Sequence, residues 1–248
     1  TCEMRPIAYD GVFASSIPQD IEESMDLTGA SRVDIALKCK QDSQIIVDSF
    51  VLGRINIVSG KVGPGTPFQE NGEIWQPIRQ GCIADLTQAI VPENNTFEVF
   101  VTASAINFIS WNVHEPLKEI NFNEVHEWTL ANTFRHPFHL HLYHMQVVSE
   151  GGCGPHKYGE FYDTISAMED CVVRFIAKDI GDRCVFHCHV LSHEDNGAMG
   201  WVNVTHNNVP IMSSKHRNQY HDITPTNITE NDQILIKWII FAGIALFI

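Results

Sequence analysis

The chain has 248 residues, 44% hydrophobic and 19% charged, a balance that suits one or two domains with real cores and excludes disorder as the default state. Thirty Asp and Glu against sixteen Lys and Arg give a formal charge of −14. That excludes a nucleic-acid surface, because phosphate neutralisation needs clustered Lys and Arg; the acidity serves solubility and is compatible with attracting cationic substrates.

Residues 44–50 and 51–58 are rich in Ile and Val and read as strands, so residues 1–60 form the tail of a β domain. Gly63-Pro64-Gly65 and Thr66-Pro67 mark an interdomain linker over 61–82. A second domain is expected over 83–206. Within it 97–101 alternates, 127–130 is strand-like, 138–148 is long and apolar-rich, and 171–177, 184–189 and 200–205 follow. Short strands separated by turns imply an all-β sandwich. Beyond it, 207–233 is a polar linker, and 234–248 closes with eleven uninterrupted apolar residues, Trp238 to Ile248. A spanning helix needs about twenty. The segment reads as a truncated membrane anchor, with a short apolar tail or a removed anchoring signal as alternatives.

The chemistry concentrates in two runs of the second domain, His136-Pro137-Phe138-His139-Leu140-His141 and His187-Cys188-His189-Val190-Leu191-Ser192-His193. Side chains alternate between faces of a strand, so His187 and His189 point one way and Cys188 the other. One strand can therefore serve two metal sites. Cys188 with His136 and His193 makes a thiolate-and-two-imidazole set, the first shell of a blue-copper centre. His139, His141, His187 and His189 are left for a second, histidine-only cluster. A lone His-x-His is ordinarily an exposed or hydrogen-bonded pair, but here two histidine-rich runs occur together. Structural zinc sites favour paired cysteines at short spacing, which are lacking around Cys188.

The pairing resembles the C-terminal copper-binding domain of the multicopper oxidases, which include laccases, ferroxidases and cuprous oxidases. Glu127-Trp128-Thr129-Leu130-Ala131-Asn132 is similar to the strand leading into the first motif, and Asp163-Thr164 to an Asp-Thr turn of the family. Ala8-Tyr9-Asp10-Gly11 and Leu27-Thr28-Gly29-Ala30-Ser31-Arg32-Val33-Asp34 are similar to the end of its middle domain. The resemblance implies cupredoxin-like Greek-key β-sandwich domains, with residues 1–60 the end of a middle domain and 83–206 the C-terminal one. It implies a type 1 copper on His136, Cys188 and His193, a type 2 copper on His139, and a type 3 pair on His141, His187 and His189. Substrate electrons would enter at type 1 and reduce dioxygen to water at the trinuclear cluster, with Glu194 relaying protons. The alternative role for Glu194 is that of a structural carboxylate orienting the copper-binding loop.

Two departures stand out. The family completes its trinuclear cluster with two His-x-His pairs from an N-terminal domain, and none precedes residue 139 here. The chain is therefore expected to be a fragment, inactive alone, with that missing domain as its partner. At the axial position, ten residues after the cysteine, many relatives carry Met; here it is Ala198, with Met199 next. The reducing substrate would be a phenol or aromatic amine, or Fe(II) or Cu(I); Asn132, where yeast-type ferroxidases carry Asp, lowers the ferroxidase reading, while the acidity and the expected membrane anchor raise it again. The rival class is a non-enzymatic blue-copper electron carrier or copper-binding protein, which would leave four histidines without a purpose.

Seven cysteines leave six once Cys188 is assigned to copper, allowing up to three disulfides, with Cys184 equally readable as a buried thiol. With sequons at Asn94, Asn203 and Asn227 they favour an extracellular or extracytoplasmic, glycosylated protein. The absence of an initiator Met and of a signal peptide fits a chain that begins within a longer protein. His114, His126, His144, His156, His206, His216 and His221 are expected as surface or core histidines, and Trp128 and Trp201 as packing residues.

Overall fold

The computed structural model describes residues 2–15, 24–57, 83–178, 181–205, 239–241 and 244–246. The expected linkers over 61–82 and 207–233 lie outside them. The chain begins with β1 (Cys2–Tyr9) and β2 (Val12–Phe13), joined by Asp10 and Gly11 at φ 46° and 85°. An Asp-Gly pair with both residues left-handed is the two-residue turn that matches strand twist. β3 (Val33–Cys39) pairs antiparallel with β1, and a Cys2–Cys39 disulfide ties the end of that pair. β4 (Ser43–Val47) and β5 (Phe50–Ile55) form a hairpin turning at Asp48 and Ser49, φ 45° and 71°. The expected break between Phe50 and Val51 is thus two residues late. This turn has no Gly to announce it; Asp48 and Ser49 adopt the left-handed region themselves.

The remaining strands build two facing five-stranded sheets, the sandwich expected from the short apolar runs. In chain order they are β6 (Thr96–Phe100), β7 (Lys118–Asn121), β8 (Val125–Ala131), β9 (Phe138–Leu140), β10 (Met145–Val147), β11 (Phe161–Tyr162), β12 (Thr164–Ile165), β13 (Cys171–Ile176), β14 (Asp182–Cys188) and β15 (Met199–Thr205), with one short helix, α1 (Leu191–Asp195). The sheet orders are β11-β10-β13-β8-β6 and β12-β9-β14-β15-β7. Pairs β6/β8 and β7/β15 are parallel, the signature of crossover connections within each sheet. Trp128 sits fully buried between them, its ring against Phe97, Phe138, Phe175 and Phe186. Tyr9, Ala14 and Val33 join the same core cluster, so the N-terminal sheet packs onto the sandwich.

The long run 138–148 is not one strand. Leu142, at φ 67°, breaks it, and β9 and β10 lie in different sheets. The apolar pattern reads through because both halves face the same core. β1, β2, β3, β7, β11, β12 and α1 match no expected element: β2, β11 and β12 are two-residue strands, β1 and β3 are buried only towards one end, β7 buries only Ile120, and α1 is five residues with no apolar period. Two disulfides form among the described residues, Cys2–Cys39 and Cys153–Cys171. Cys184 is a buried free thiol donating to the His141 carbonyl at 3.0 Å, and Cys82 lies outside the described residues. Of the expected anchor, only β16 (Ile239–Phe241) and β17 (Ile244–Leu246) are described, paired antiparallel; among the described residues no helix is long and apolar enough to cross a membrane.

His126 and His156 are core histidines, His114 is exposed, and His144 bonds the Asp10 carbonyl. His206, His216 and His221 lie outside the described residues. His156 accepts the Ser166 N–H at 3.0 Å, and burial pushes its pKa down to about 4. A histidine depressed from 6.5 holds fewer protons folded than unfolded between those values, so its contribution is complete above pH 6.5 and is lost as pH falls towards 4. The full loss is about 3 kcal/mol. Urea melts across that window are expected to flatten in His156→Gln, whose amide oxygen can still accept the Ser166 N–H; an unchanged pH slope would remove His156 as the cause.

Candidate metal centre

Strand register brings the two motifs together. β9 and β14 pair antiparallel with Phe138 opposite Cys188, His139 opposite His187 and Leu140 opposite Phe186. Directly opposed residues share a face, about 5 Å apart at Cβ. Phe138, Leu140, Phe186 and Cys188 therefore point into the sandwich core, all at 1% exposure or less, while His139 and His187 lie on the outer face. His141 continues that face past the end of β9, its N–H donating to the Val185 carbonyl at 3.0 Å.

On the core side, Cys188 Sγ lies 3.8 Å from His136 Nδ1 and 3.6 Å from His193 Nδ1, and the two nitrogens are 3.1 Å apart. His136 comes from a turn closed by its N–H on the Thr133 carbonyl. α1 returns His193: the N–H groups of His193 and Glu194 both donate to the Val190 carbonyl. Gly197, at φ 103°, ends this loop, where a Cβ would run into Ser110 and the Ser104 carbonyl. One sulfur and two nitrogens converging on one point fit a soft-leaning transition metal such as copper.

On the outer face, donor atoms of His139, His141 and His187 gather within 4.8 Å of one another. His141 and His187 face each other Nε2 to Nε2 at 3.1 Å. The His189 ring is 5.4 Å from those of His139 and His187, at the margin of the group. Nδ1 of His187 is occupied by the Cys188 carbonyl at 3.0 Å and that of His139 by the Asp163 carbonyl at 2.9 Å, so Nε2 is the atom each ring leaves for a metal. A cavity of about 250 Å³, lined among others by His139, His141, His144 and Asp163, opens beside them. Glu194 follows His193 in sequence but faces the other group, its Oε2 3.5 Å from His187 Nδ1.

Electrostatics suit both sets to a cation. Burial pushes His136, His141 and His187 below the ordinary histidine value, keeping the imidazoles neutral with lone pairs available. Burial also raises the Cys188 thiol, so a bound cation would have to displace its proton. Ala198 is fully buried, and its carbonyl accepts the Cys188 N–H at 3.0 Å. Met199 stands opposite His187 in β15, so by alternation it shares the outer face and Ala198 the core face with Cys188. Asn132, at φ 57°, donates its side-chain amide to the Val101 carbonyl at 2.7 Å, a turn-forming role. Two residues with contacts at the site, Arg32 and Asp10, had no role assigned from sequence: their contact with Asp163 spans more than 130 positions.

A family model described as multicopper oxidase matches residues 83–208, just over half of the chain. The multicopper oxidase mco of Staphylococcus haemolyticus (strain JCSC1435) is 33% identical over 97 residues, covering 36% of this chain and 21% of that protein. A laccase of Bacillus stratosphericus is 34% identical over 114 residues, covering 36% and 22%. The chain thus spans about a fifth of the length of these relatives. Among solved structures, the multi-copper oxidase of Pseudomonas Thermotolerans superposes with a TM-score of 0.66 at 20% identity, over 82% of this chain and 50% of that one. A laccase from Pediococcus acidilactici Pa5930 gives 0.59 at 20% identity, over 82% and 45%. These likenesses carry the fold, a cupredoxin-like β-sandwich.

Proposed function

Because the chain belongs to the multicopper oxidase family, we propose that it forms the electron-entry and half-cluster portion of an oxidase that couples one-electron oxidation of a small reducing substrate to reduction of dioxygen. Copper, when bound, would take up one electron at a time at His136, Cys188 and His193 and reduce dioxygen at the histidine cluster, four substrate oxidations per dioxygen and two waters formed. His136, Cys188 and His193 are the type 1 set in this reading, His139 the type 2 ligand, and His141, His187 and His189 the type 3 ligands. Histidines from a partner domain outside this chain would complete the cluster.

The observation that carries the proposal is the alternation along β14. Cys188 faces one donor set, while its covalent neighbour His187 faces the other and His189 lies at its margin. An electron arriving on the thiolate has a bonded path of a few atoms to those imidazoles. A carrier would have no use for the second set. Glu194, 3.5 Å from His187 Nδ1, is suited to hand protons to the reduction side.

Close to His136 and His193 in sequence, Phe134 and Leu191 are 53% and 68% exposed. Such exposed apolar side chains favour an organic reductant, a phenol or aromatic amine, over Fe(II), which carboxylate oxygens would hold better. Two disulfides support an extracytoplasmic setting.

The test is a comparison in the complete protein, the chain with its partner domain. His187→Ala is expected to abolish catalytic oxygen uptake while one equivalent of phenol still bleaches the blue band. Glu194→Gln should slow reoxidation and spare bleaching. Oxygen uptake that survives His187→Ala would remove the histidine cluster from the reaction, and equal slowing of both steps in Glu194→Gln would leave that carboxylate a structural role.

A further inference from the structure

We propose that Arg32 and Asp10, both from the N-terminal sheet region, are positioning residues for His139, acting through the Asp163–Thr164 turn. The inference rests on the reading of His139 as a copper ligand and adds the device that aims it.

The contacts form a closed set. His139 Nδ1 lies 2.9 Å from the Asp163 carbonyl and 3.0 Å from Thr164 Oγ1. A carbonyl can only accept, so Nδ1 carries the ring proton and Nε2 keeps its lone pair for the metal. Thr164 Oγ1 in turn donates to Asp163 Oδ1 at 2.9 Å. The Asp163 carboxylate is gripped by both terminal nitrogens of Arg32, a two-bond fork that fixes orientation as well as distance. The backbone of the same turn is held from the other side: Asp10 Oδ2 accepts the Asp163 N–H at 3.0 Å and approaches the Thr164 N–H at 3.4 Å, while Oδ1 accepts the Arg32 N–H at 2.7 Å.

Asp10 has no exposed side-chain surface, so its carboxylate is built into the joint. Burial, with repulsion from Asp163, raises its pKa to about 6. Burial also disfavours the Asp163 anion, but His139 and Arg32 outweigh it and hold that carboxyl well below the usual range. With the carboxylate forked by Arg32 and the turn N–H held by Asp10, the Asp163 carbonyl, and hence the imidazole, is kept in one place. If the network only fastened the N-terminal sheet to the sandwich, its loss would affect both metal sets alike, since both hang on β9 and β14. Positioning affects the histidine set alone.

The experiment titrates the metal-free complete protein, the chain with its partner domain, with Cu(II), reading the visible blue band for the Cys188 set and the non-blue EPR signal for the histidine set. Arg32→Ala is expected to weaken the non-blue site about 10–100-fold, the usual cost of losing an outer hydrogen-bonding partner, with the blue site unchanged. Arg32→Lys, which keeps the charge without the fork, and Asp10→Asn, which keeps the shape, should each lose less. In a His139→Ala background Arg32→Ala should cost nothing further, because the interaction it acts through is gone. Equal weakening at both sites, no weakening at all, or a full loss persisting in the His139→Ala background would each overturn the proposal. A complete wild-type protein with no non-blue copper at these histidines would instead overturn the reading of His139 as a ligand.

Discussion

Cys188→Ser abolishes the visible blue absorption of the copper-loaded chain. The band requires charge transfer from a thiolate sulfur, and Cys188 Sγ stands beside His136 Nδ1 and His193 Nδ1. Ser is nearly isosteric at this fully buried position and still donates its N–H to the Ala198 carbonyl, so the fold should survive. Absorbance, copper stoichiometry and circular dichroism read the three consequences separately. A band that persists in the variant with copper bound would mean that the sulfur is not a ligand.

Ala198→Met lowers the reduction potential of the same centre. The fully buried Ala198 shares the core face with Cys188, and a methyl group offers the metal nothing to bind. A thioether there would donate electron density and favour the oxidised metal. About 59 mV is tenfold in a one-electron equilibrium, so a modest shift is measurable. Overpacking costs roughly 1–3 kcal/mol; Ala198→Leu carries similar bulk without sulfur and should leave the potential near wild type. Met199→Leu should also change it little, because Met199 stands opposite His187. A large rise in Met199→Leu with no response to Ala198→Met would make Met199 the axial ligand.

The candidate site was unusually legible in the sequence, for a local reason. Strand side chains alternate with period two, so His187-Cys188-His189 had to split between two faces wherever the strand lay. The seven proposed ligands follow from that and from the family resemblance of the two motifs, and six of them fall in the two donor groups, with His189 at the margin of the second. Legibility fell where the deciding contact was distant or the element short. The Asp48–Ser49 turn uses left-handed residues that are not glycine, and the break at Leu142 leaves the apolar pattern of 138–148 intact.

By itself, then, the sequence determined the all-β sandwich, the opposed faces of Cys188 and His187, and the chemistry of the donor set, all matters of residue type and nearest-neighbour geometry. Only the tertiary structure decided that His139 lands opposite His187, that Ala198 rather than Met199 shares the face of Cys188, and that Asp10 and Arg32 close on Asp163. Register is the reason. A slip of one residue between β9 and β14 would exchange every face, and what prevents it is burial of Phe138, Leu140 and Phe186 against Trp128, contacts between residues up to about sixty positions apart that no local pattern records.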